Sequence, residues 1–320
     1  MGTNVVFGVG YIGTELVRQL LLAGHRVVGF DNGFNTPPAV WDSLKPLGNF
    51  EIISGDVADP EAVAGVFRLA GPVEVVFFTA AQASAHPDAA PWAYTERTNI
   101  TGFRTALDLA VEAGVGRFVF ASSIKVHGSR LPARLGPDTP YRWPGDPVHW
   151  TQAFNEGLLR DRAGRGGLRA VAVRLGIVYG VGSVMRTDPR FMTVVNRFCL
   201  AAVRGEVLTV HPQAVGYQAF IHLRDAASGL IRAAELSAGT PFTAVPLATG
   251  FFTVSQVARA VKRAAARRGL RVAVVDRAPR AWGRRPRLDP AAGRLLPERP
   301  ISLADGIGEL LDYWLRSRAG

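Results

Sequence analysis

The chain is organised around one stretch, Asn4 to Asn32, which reads NVVFGVGYIGTELVRQLLLAGHRVVGFDN. Val5 to Phe7 predicts a short buried strand, and Gly8, Gly10 and Gly13 come after it as GxGxxG. The next segment carries Leu16, Leu20 and Leu21 at helical spacing and stops at Gly24. Val27 to Phe30 predicts a second buried strand with Asp31 at its end. Strand, glycine turn, helix and strand in this register are the parts a dinucleotide site requires. The first two glycines let the backbone turn and approach a pyrophosphate, and the third lets the helix pack on the strand. The helix start offers free N–H groups and a positive dipole end to the phosphates. Asp31 can accept both hydroxyls of an adenosine ribose, and its charge repels a 2′-phosphate, which argues for NAD over NADP.

The 320 residues suffice for one large domain with a lobe, or for two domains, and 48% hydrophobic residues can bury a proper core. A single cysteine, Cys199, excludes a disulfide framework and a thiolate zinc cluster. No apolar run approaches the length needed to span a bilayer, and the N-terminus runs straight into a strand, so a cytoplasmic protein without a signal peptide is expected. The net charge of +11 comes almost wholly from arginine, with Lys45, Lys125 and Lys262 the only lysines. An arginine-, alanine- and glycine-rich chain has the composition of a GC-rich bacterial genome. The charge is concentrated in residues 259–299, which hold 13 basic residues against three acidic ones. A solvated face is the first reading of that segment, an anionic ligand the second and nucleic acid the last, because no aromatic residues interleave with the charges.

Phe50 to Ser54 predicts a third strand, 60–69 a helix, and Val73 to Thr79 a fully apolar fourth strand ending in Ala80, Ala81 and Gln82. A long helix is expected over 93–113, a fifth strand over Arg117 to Ser123, and a helix over 149–163. Further strands are expected over 168–178 and 242–248, a strand leading into a helix over 218–227, and helices over 254–267 and 301–316. This alternation predicts an α/β fold, a doubly wound parallel Rossmann sheet. The expected division is a dinucleotide-binding domain over 1–170, with a strand return near 206–248, and a smaller C-terminal substrate lobe over 171–320.

These motifs together resemble the extended short-chain dehydrogenases/reductases, the NAD-dependent epimerase/dehydratase family. GYIG with Asp31 and Asn32 is similar to that family's cofactor turn and ribose site, which adds Tyr11 and Ile12 to the glycines as NAD contacts. GDVAD resembles the adenine-contacting motif, with Asp56 and Val57 at the adenine. FFTAAQ resembles the fourth-strand motif, with Ala80, Ala81 and Gln82 beside the cofactor, and Asn99 falls in the structural asparagine region. FVFASSIKVHG resembles the strand that carries the catalytic serine or threonine, here Ser123. The resemblance implies a homodimer through helices near 94–113 and 149–163.

The same resemblance exposes departures. The family's chemistry uses tyrosine and lysine in YxxxK, where the tyrosine exchanges a proton with the substrate hydroxyl as hydride moves to the nicotinamide. The matching stretch here is PVHWTQAFNE, which places Val148 at the tyrosine and Gln152 at the lysine. A shift by one gives His149 and Ala153, and Tyr141 belongs to the preceding loop. Gln218 stands where nucleotide-sugar members carry an arginine for the diphosphate, and Ile177 replaces an asparagine often found before VYG. Both losses argue against a nucleotide-diphosphate sugar as substrate.

Three residues are candidates for the chemistry. Ser123 would polarise a substrate oxygen. Lys125 sits where the family's dehydratases carry a glutamate or lysine that acts on the sugar, and burial would depress its pKa into the range of a base. His149 comes directly after the lost tyrosine, and an imidazole side chain can serve in proton transfer. Gln152 can still bond the nicotinamide ribose. His127 is read as packing, and His86, His211 and His222 as structural or surface residues. No HExxH and no Cys/His set exists, so no metal is expected. The leading expectation is an atypical NAD-dependent oxidoreductase or epimerase/dehydratase-like enzyme acting on a small intermediate of a bacterial specialised-metabolite pathway. The alternatives are a non-redox isomerase, cyclase or lyase with structural or transient NAD, and a non-catalytic NAD-binding scaffold. No nucleic-acid or membrane partner is expected.

Overall fold

The computed structural model describes residues 2–86, 88–236, 240–279 and 284–319. The first strand, β1 (Thr3–Phe7), is buried at every position, as a central parallel strand covered on both faces must be. It leads through the glycine turn into α1 (Tyr11–Leu22), then β2 (Arg26–Asp31), the short α2 (Pro38–Asp42) and β3 (Phe50–Ser54). Asp59 caps α3 (Pro60–Ala70) by accepting from the backbone of Glu61 and Ala62, with Pro60 at the position where a missing N–H costs nothing. Then come β4 (Val73–Phe78), α4 (Trp92–Glu96), α5 (Phe103–Glu112) and β5 (Arg117–Ser123). A two-residue β6 (Arg134–Leu135) precedes α6 (Pro147–Gly164), β7 (Arg169–Leu175), β8 (Ile177–Tyr179), α7 (Val194–Arg204) and β9 (Leu208–Val210). The chain continues with β10 (Gln218–His222), α8 (Leu223–Ala234), β11 (Phe242–Leu247), β12 (Gly250–Phe252), α9 (Val254–Ala266), β13 (Val274–Asp276), β14 (Arg287–Leu288) and α10 (Leu303–Ala319).

Seven strands form one parallel sheet in the order β3-β2-β1-β4-β5-β7-β11. On one face, Leu16 and Leu20 of α1 and Leu230 of α8 pack with Val6, Phe77 and Val119. On the other, Phe67 of α3, Phe103 of α5 and Leu159 of α6 pack with Phe7, Phe78 and Phe118. The sheet is therefore doubly wound, with its order reversing between β1 and β4, and a ligand cleft belongs at the carboxyl ends there. A separate apolar cluster joins Phe198 of α7, Val261 of α9 and Leu310 and Leu311 of α10. No described helix is long and apolar enough to cross a membrane.

The helix expected as continuous over 93–113 is interrupted by a π turn, Arg97–Gly102. The widened turn lets Asn99 serve the cleft instead of the helix. Its Oδ1 accepts from Gln82 N at 2.8 Å, and its Nδ2 donates to Gln82 O at 2.9 Å and Thr151 Oγ1 at 3.1 Å. Gly102 ends the turn against Val57, whose Cγ1 would lie 2.3 Å from an added Cβ. π turns of this kind cost backbone geometry and concentrate at functional sites.

Candidate active site at the carboxyl ends of the sheet

The glycine turn is built by close approach. A Cβ on Gly8 (φ +90°) would meet Ala80 N at 2.3 Å, and one on Gly13 would meet Gly8 O at 1.9 Å. A Cβ on Gly10 would clash with nothing, in ordinary contact with Thr36 Oγ1 at 3.7 Å and Arg186 Nη2 at 4.0 Å. The start of α1 carries neither a side-chain cap nor an acidic residue in its first turn, so its N–H groups remain for a ligand. Asp31 accepts from Gly33 N at 2.8 Å. Burial raises its pKa, while the bonds from Gly33 and Val9 and the charge of Arg186 pull the other way.

Most of the residues singled out in the sequence meet around one cavity of about 530 Å³. Gly8, Gly10, Tyr11, Ile12, Gly13, Asp31, Asn32, Val57, Ala80, Ala81 and Gln82 line its dinucleotide half. Ser123, Lys125, His149 and Gln152 line the other half, with Val148 among them. Asp56 and Asn99 do not line the cavity. Asp56 accepts from Ala58 N at 2.8 Å and pairs with Arg97 at 3.0 Å, shaping the turn that presents Val57. Tyr11 turns its hydroxyl away from the glycines to bond Gly180 O at 2.6 Å, and Asn196 donates to it at 3.2 Å.

At the reacting end, β5 stops at Ser123, and Lys125 lies in the 3-10 turn Ile124–Val126 instead of on a continued strand. The two side chains face the same cavity through the turn, not through strand alternation. Ser123 Oγ accepts from Lys125 N at 3.1 Å. Lys125 Nζ donates to Gln218 Oε1 at 2.8 Å. Burial lowers the Lys125 pKa, against a smaller opposing pull from Asp146. Asp146, not singled out from the sequence, caps α6 by accepting from His149 N at 2.8 Å and also lies 2.9 Å from His149 Nδ1. Burial works against the Asp146 charge, but the contacts with His149 and the charge of Lys125 outweigh it and hold the carboxyl below its ordinary range. The signal was present: an aspartate immediately before proline and three residues before a histidine is an N-cap spacing.

Tyr141 does not take the place of the missing tyrosine. Its hydroxyl donates to Glu156 Oε2 at 2.8 Å in a buried network with Arg174, which also pairs with Glu156 at 2.8 Å. Burial and the Glu156 charge raise its pKa. His127 is fully buried between Pro140 O and Arg174, a packing position. Among the described residues, no three His, Cys, Asp or Glu side chains come together as metal ligands.

A fold, a glycine turn and a ribose carboxylate of this kind define a class. The chain belongs to the NAD dependent epimerase/dehydratase family, whose pattern it matches over residues 5–244. The cofactor is NAD, and Gly10 on the cavity wall, the free start of α1 and the carboxylate of Asp31 fit it. UDP-glucuronic acid decarboxylase 6 of Arabidopsis thaliana is 28% identical over 277 residues, 81% of this chain and 72% of that protein. The structure of MoeE5 in complex with UDP-glucuronic acid and NAD superposes with a TM-score of 0.80 at 25% identity, covering 99% of this chain and 100% of that one. UDP-glucose 4-epimerase of Thermotoga maritima with UDP-glucose shares the fold at a TM-score of 0.83 and 24% identity, over 99% of this chain and 100% of that one.

These relatives correct one expectation. The sequence reading disfavoured a nucleotide-diphosphate sugar, whereas the relatives carry UDP-sugars in their names. That reading rested on Gln218 and Ile177, each judged at its own position. In the fold Lys125 Nζ stands 2.8 Å from Gln218 Oε1, so a cation reaches the same place from a different part of the chain.

Proposed function

We propose that this protein performs NAD-dependent chemistry on a nucleotide-diphosphate sugar, with His149 doing the proton transfer that a tyrosine does in the family's usual site. The observation that carries this is the Asp146–His149 pair on the cavity wall beside Val148. A carboxylate on Nδ1 fixes the tautomer and leaves Nε2 as the basic atom, the logic of an oriented general base. When bound, NAD supplies a hydride acceptor at C4 of the nicotinamide. Ser123 Oγ donates a hydrogen bond to the sugar oxygen whose carbon is oxidised, and His149 Nε2 takes the proton released from that oxygen. Lys125, held at Gln218, supplies positive charge toward the substrate's diphosphate. The family membership, the UDP-sugar relatives and the preserved serine support this reading. A biosynthetic role in a bacterial specialised-metabolite pathway and assembly as a homodimer are part of the same proposal.

The test is turnover of NAD-loaded protein with UDP-glucose and UDP-glucuronic acid, products being resolved by NMR. His149→Gln is expected to lower kcat by about 10²–10⁴-fold with NAD binding unchanged. Lys125→Ala is expected to act chiefly on KM. A His149→Gln protein as active as the parent would refute the assignment.

A further inference from the structure

A cation on the cofactor half of the cleft takes no part in the chemistry described above. After β8 the chain crosses the cleft as a strap, residues 180–193, before entering α7. The strap is fastened to the opposite rim. Ser84 Oγ donates to Arg190 O at 2.5 Å, and Arg190 Nη1 donates to Asp88 O at 2.9 Å. Phe191 meets Phe34 edge-on at 6.2 Å, and Phe34 stacks on Tyr94 at 4.6 Å. Arg186 belongs to this strap and faces the cavity. Its Nη2 comes to 4.0 Å from the point where a Cβ on Gly10 would stand. Its Nε is buried without a hydrogen-bond acceptor. Its guanidinium lies 5.9 Å from the Phe191 ring, and it forms no ion pair among the described residues.

The groups facing Arg186 are Tyr11 and Asp31. The Tyr11 hydroxyl is committed to Gly180 O, and Asp31 accepts from Gly33 N. The guanidinium therefore approaches the positive end of α1, where no acidic side chain stands in the first turn. The Asp31 carboxylate attracts the guanidinium from one side, and an anion placed at the helix start gains from both the helix end and the guanidinium in a partly desolvated cleft. One anion belongs in that place, because the Gly10 turn is where a dinucleotide's pyrophosphate passes.

We infer that Arg186 binds the pyrophosphate of NAD from the wall opposite α1, so that the phosphates lie between the helix start and a charge brought by the strap. The inference rests on the NAD site but not on the identity of the substrate or the proton-transfer group. Arg186 is a cofactor-binding residue that the sequence motifs did not mark, and it makes cofactor retention depend on the second half of the chain. The strap holds it there, so cofactor exchange requires the Ser84, Asp88 and Phe34 contacts to part.

Calorimetric titration of nucleotide-free protein with NAD, ADP and adenosine tests this. Wild-type protein is compared with Arg186→Met and Arg186→Lys, each first shown to melt as a folded protein. Arg186→Met is expected to weaken NAD and ADP by about 10- to 100-fold, the range for losing hydrogen bonds to a charged group, and to leave adenosine within twofold. Arg186→Lys should recover part of the loss, and raising the salt should weaken NAD more in the wild type than in Arg186→Met. NAD and ADP binding unchanged in Arg186→Met would overturn the inference. So would adenosine losing as much as ADP, or a wild-type preference for NADP, which would place the guanidinium on a 2′-phosphate. If the folded wild-type protein bound none of the three, the NAD site itself would have failed, a result distinct from a failure of Arg186 alone.

Discussion

Val148 removes the group that would carry a proton, and the residues around it divide the work differently. Ser122 and Ser123 are neighbours with separate tasks. Ser122 Oγ donates to the buried Glu156 at 2.5 Å, while Ser123 Oγ accepts from the Lys125 amide and faces the cavity. Ser123→Ala is therefore expected to lower kcat by about 100-fold at unchanged stability, as loss of one preorganised donor does. A variant with full kcat would remove Ser123 from the chemistry. Away from the site, His222 predicts a pH dependence. Burial lowers its pKa to about 4, with Glu309 opposing in part. The unfolded chain then binds a proton that the native state does not, between that value and an ordinary histidine pKa of about 6.5. Stability should fall as pH drops through that window, by up to ~1.4 kcal/mol per pH unit, and this contribution should be flat above it. Denaturant unfolding at stepped pH should show a shallower slope in His222→Asn, which keeps an acceptor for the Arg224 amide; equal slopes would contradict the assignment. At this scale the meeting of Ser123, Lys125 and His149 around one cavity was legible because motifs surround them. Asp146 carried a local N-cap signal that the motif reading passed over, and Arg186 was hidden because nothing local links residue 186 to a glycine turn near residue 10.

Among the elements, the glycine turn and the start of α6 set the site. Gly13→Ala would place a methyl carbon on Gly8 O, so the turn must open and α1 must leave β1. A loss of roughly 1–3 kcal/mol or more is expected, with NAD binding abolished, and calorimetry of the variant with NAD measures both. Retained binding would mean that the turn tolerates a rearrangement the close approach argues against. α6 begins at Pro147 with Asp146 as its cap, which places Val148, His149 and Gln152 on the cavity in one turn. The parallel sheet with helices on both faces was legible from apolar runs separated by amphipathic helices, and the strand order came from the fold. The break at Arg97–Gly102 was not, because a π turn keeps the helical spacing of apolar residues while rotating the residues beyond it. Likewise Lys125 reaches the cavity from a 3-10 turn, Ile124–Val126, beyond the end of β5.

For the whole molecule, the two faces of the sheet and the α7–α9–α10 cluster form the two sides of the cleft, and the strap joins them. Two of the 13 basic residues of segment 259–299 pair with carboxylates, Arg259 with Asp276 and Arg268 with Asp312, while residues 280–283 lie outside the described part. Trp150 and Phe154 of α6 and Val111 of α5 are exposed on the helices that the family resemblance assigns to a dimer. Light scattering is expected to give twice the chain mass of 34.3 kDa, and a monomer at micromolar concentration would contradict the dimer. The substrate class was misjudged from sequence because charge was counted position by position, and folding brings Lys125 to Gln218 from 93 residues away. The most direct test of proton transfer by His149 during hydride transfer is rapid mixing of NAD-loaded protein with UDP-glucose or UDP-glucuronic acid while reduced nicotinamide is monitored by absorbance. A transient of reduced nicotinamide is expected in the wild type, strongly slowed in His149→Gln. Product formed with the nicotinamide oxidised throughout, or a transient of the same rate in both proteins, would contradict it.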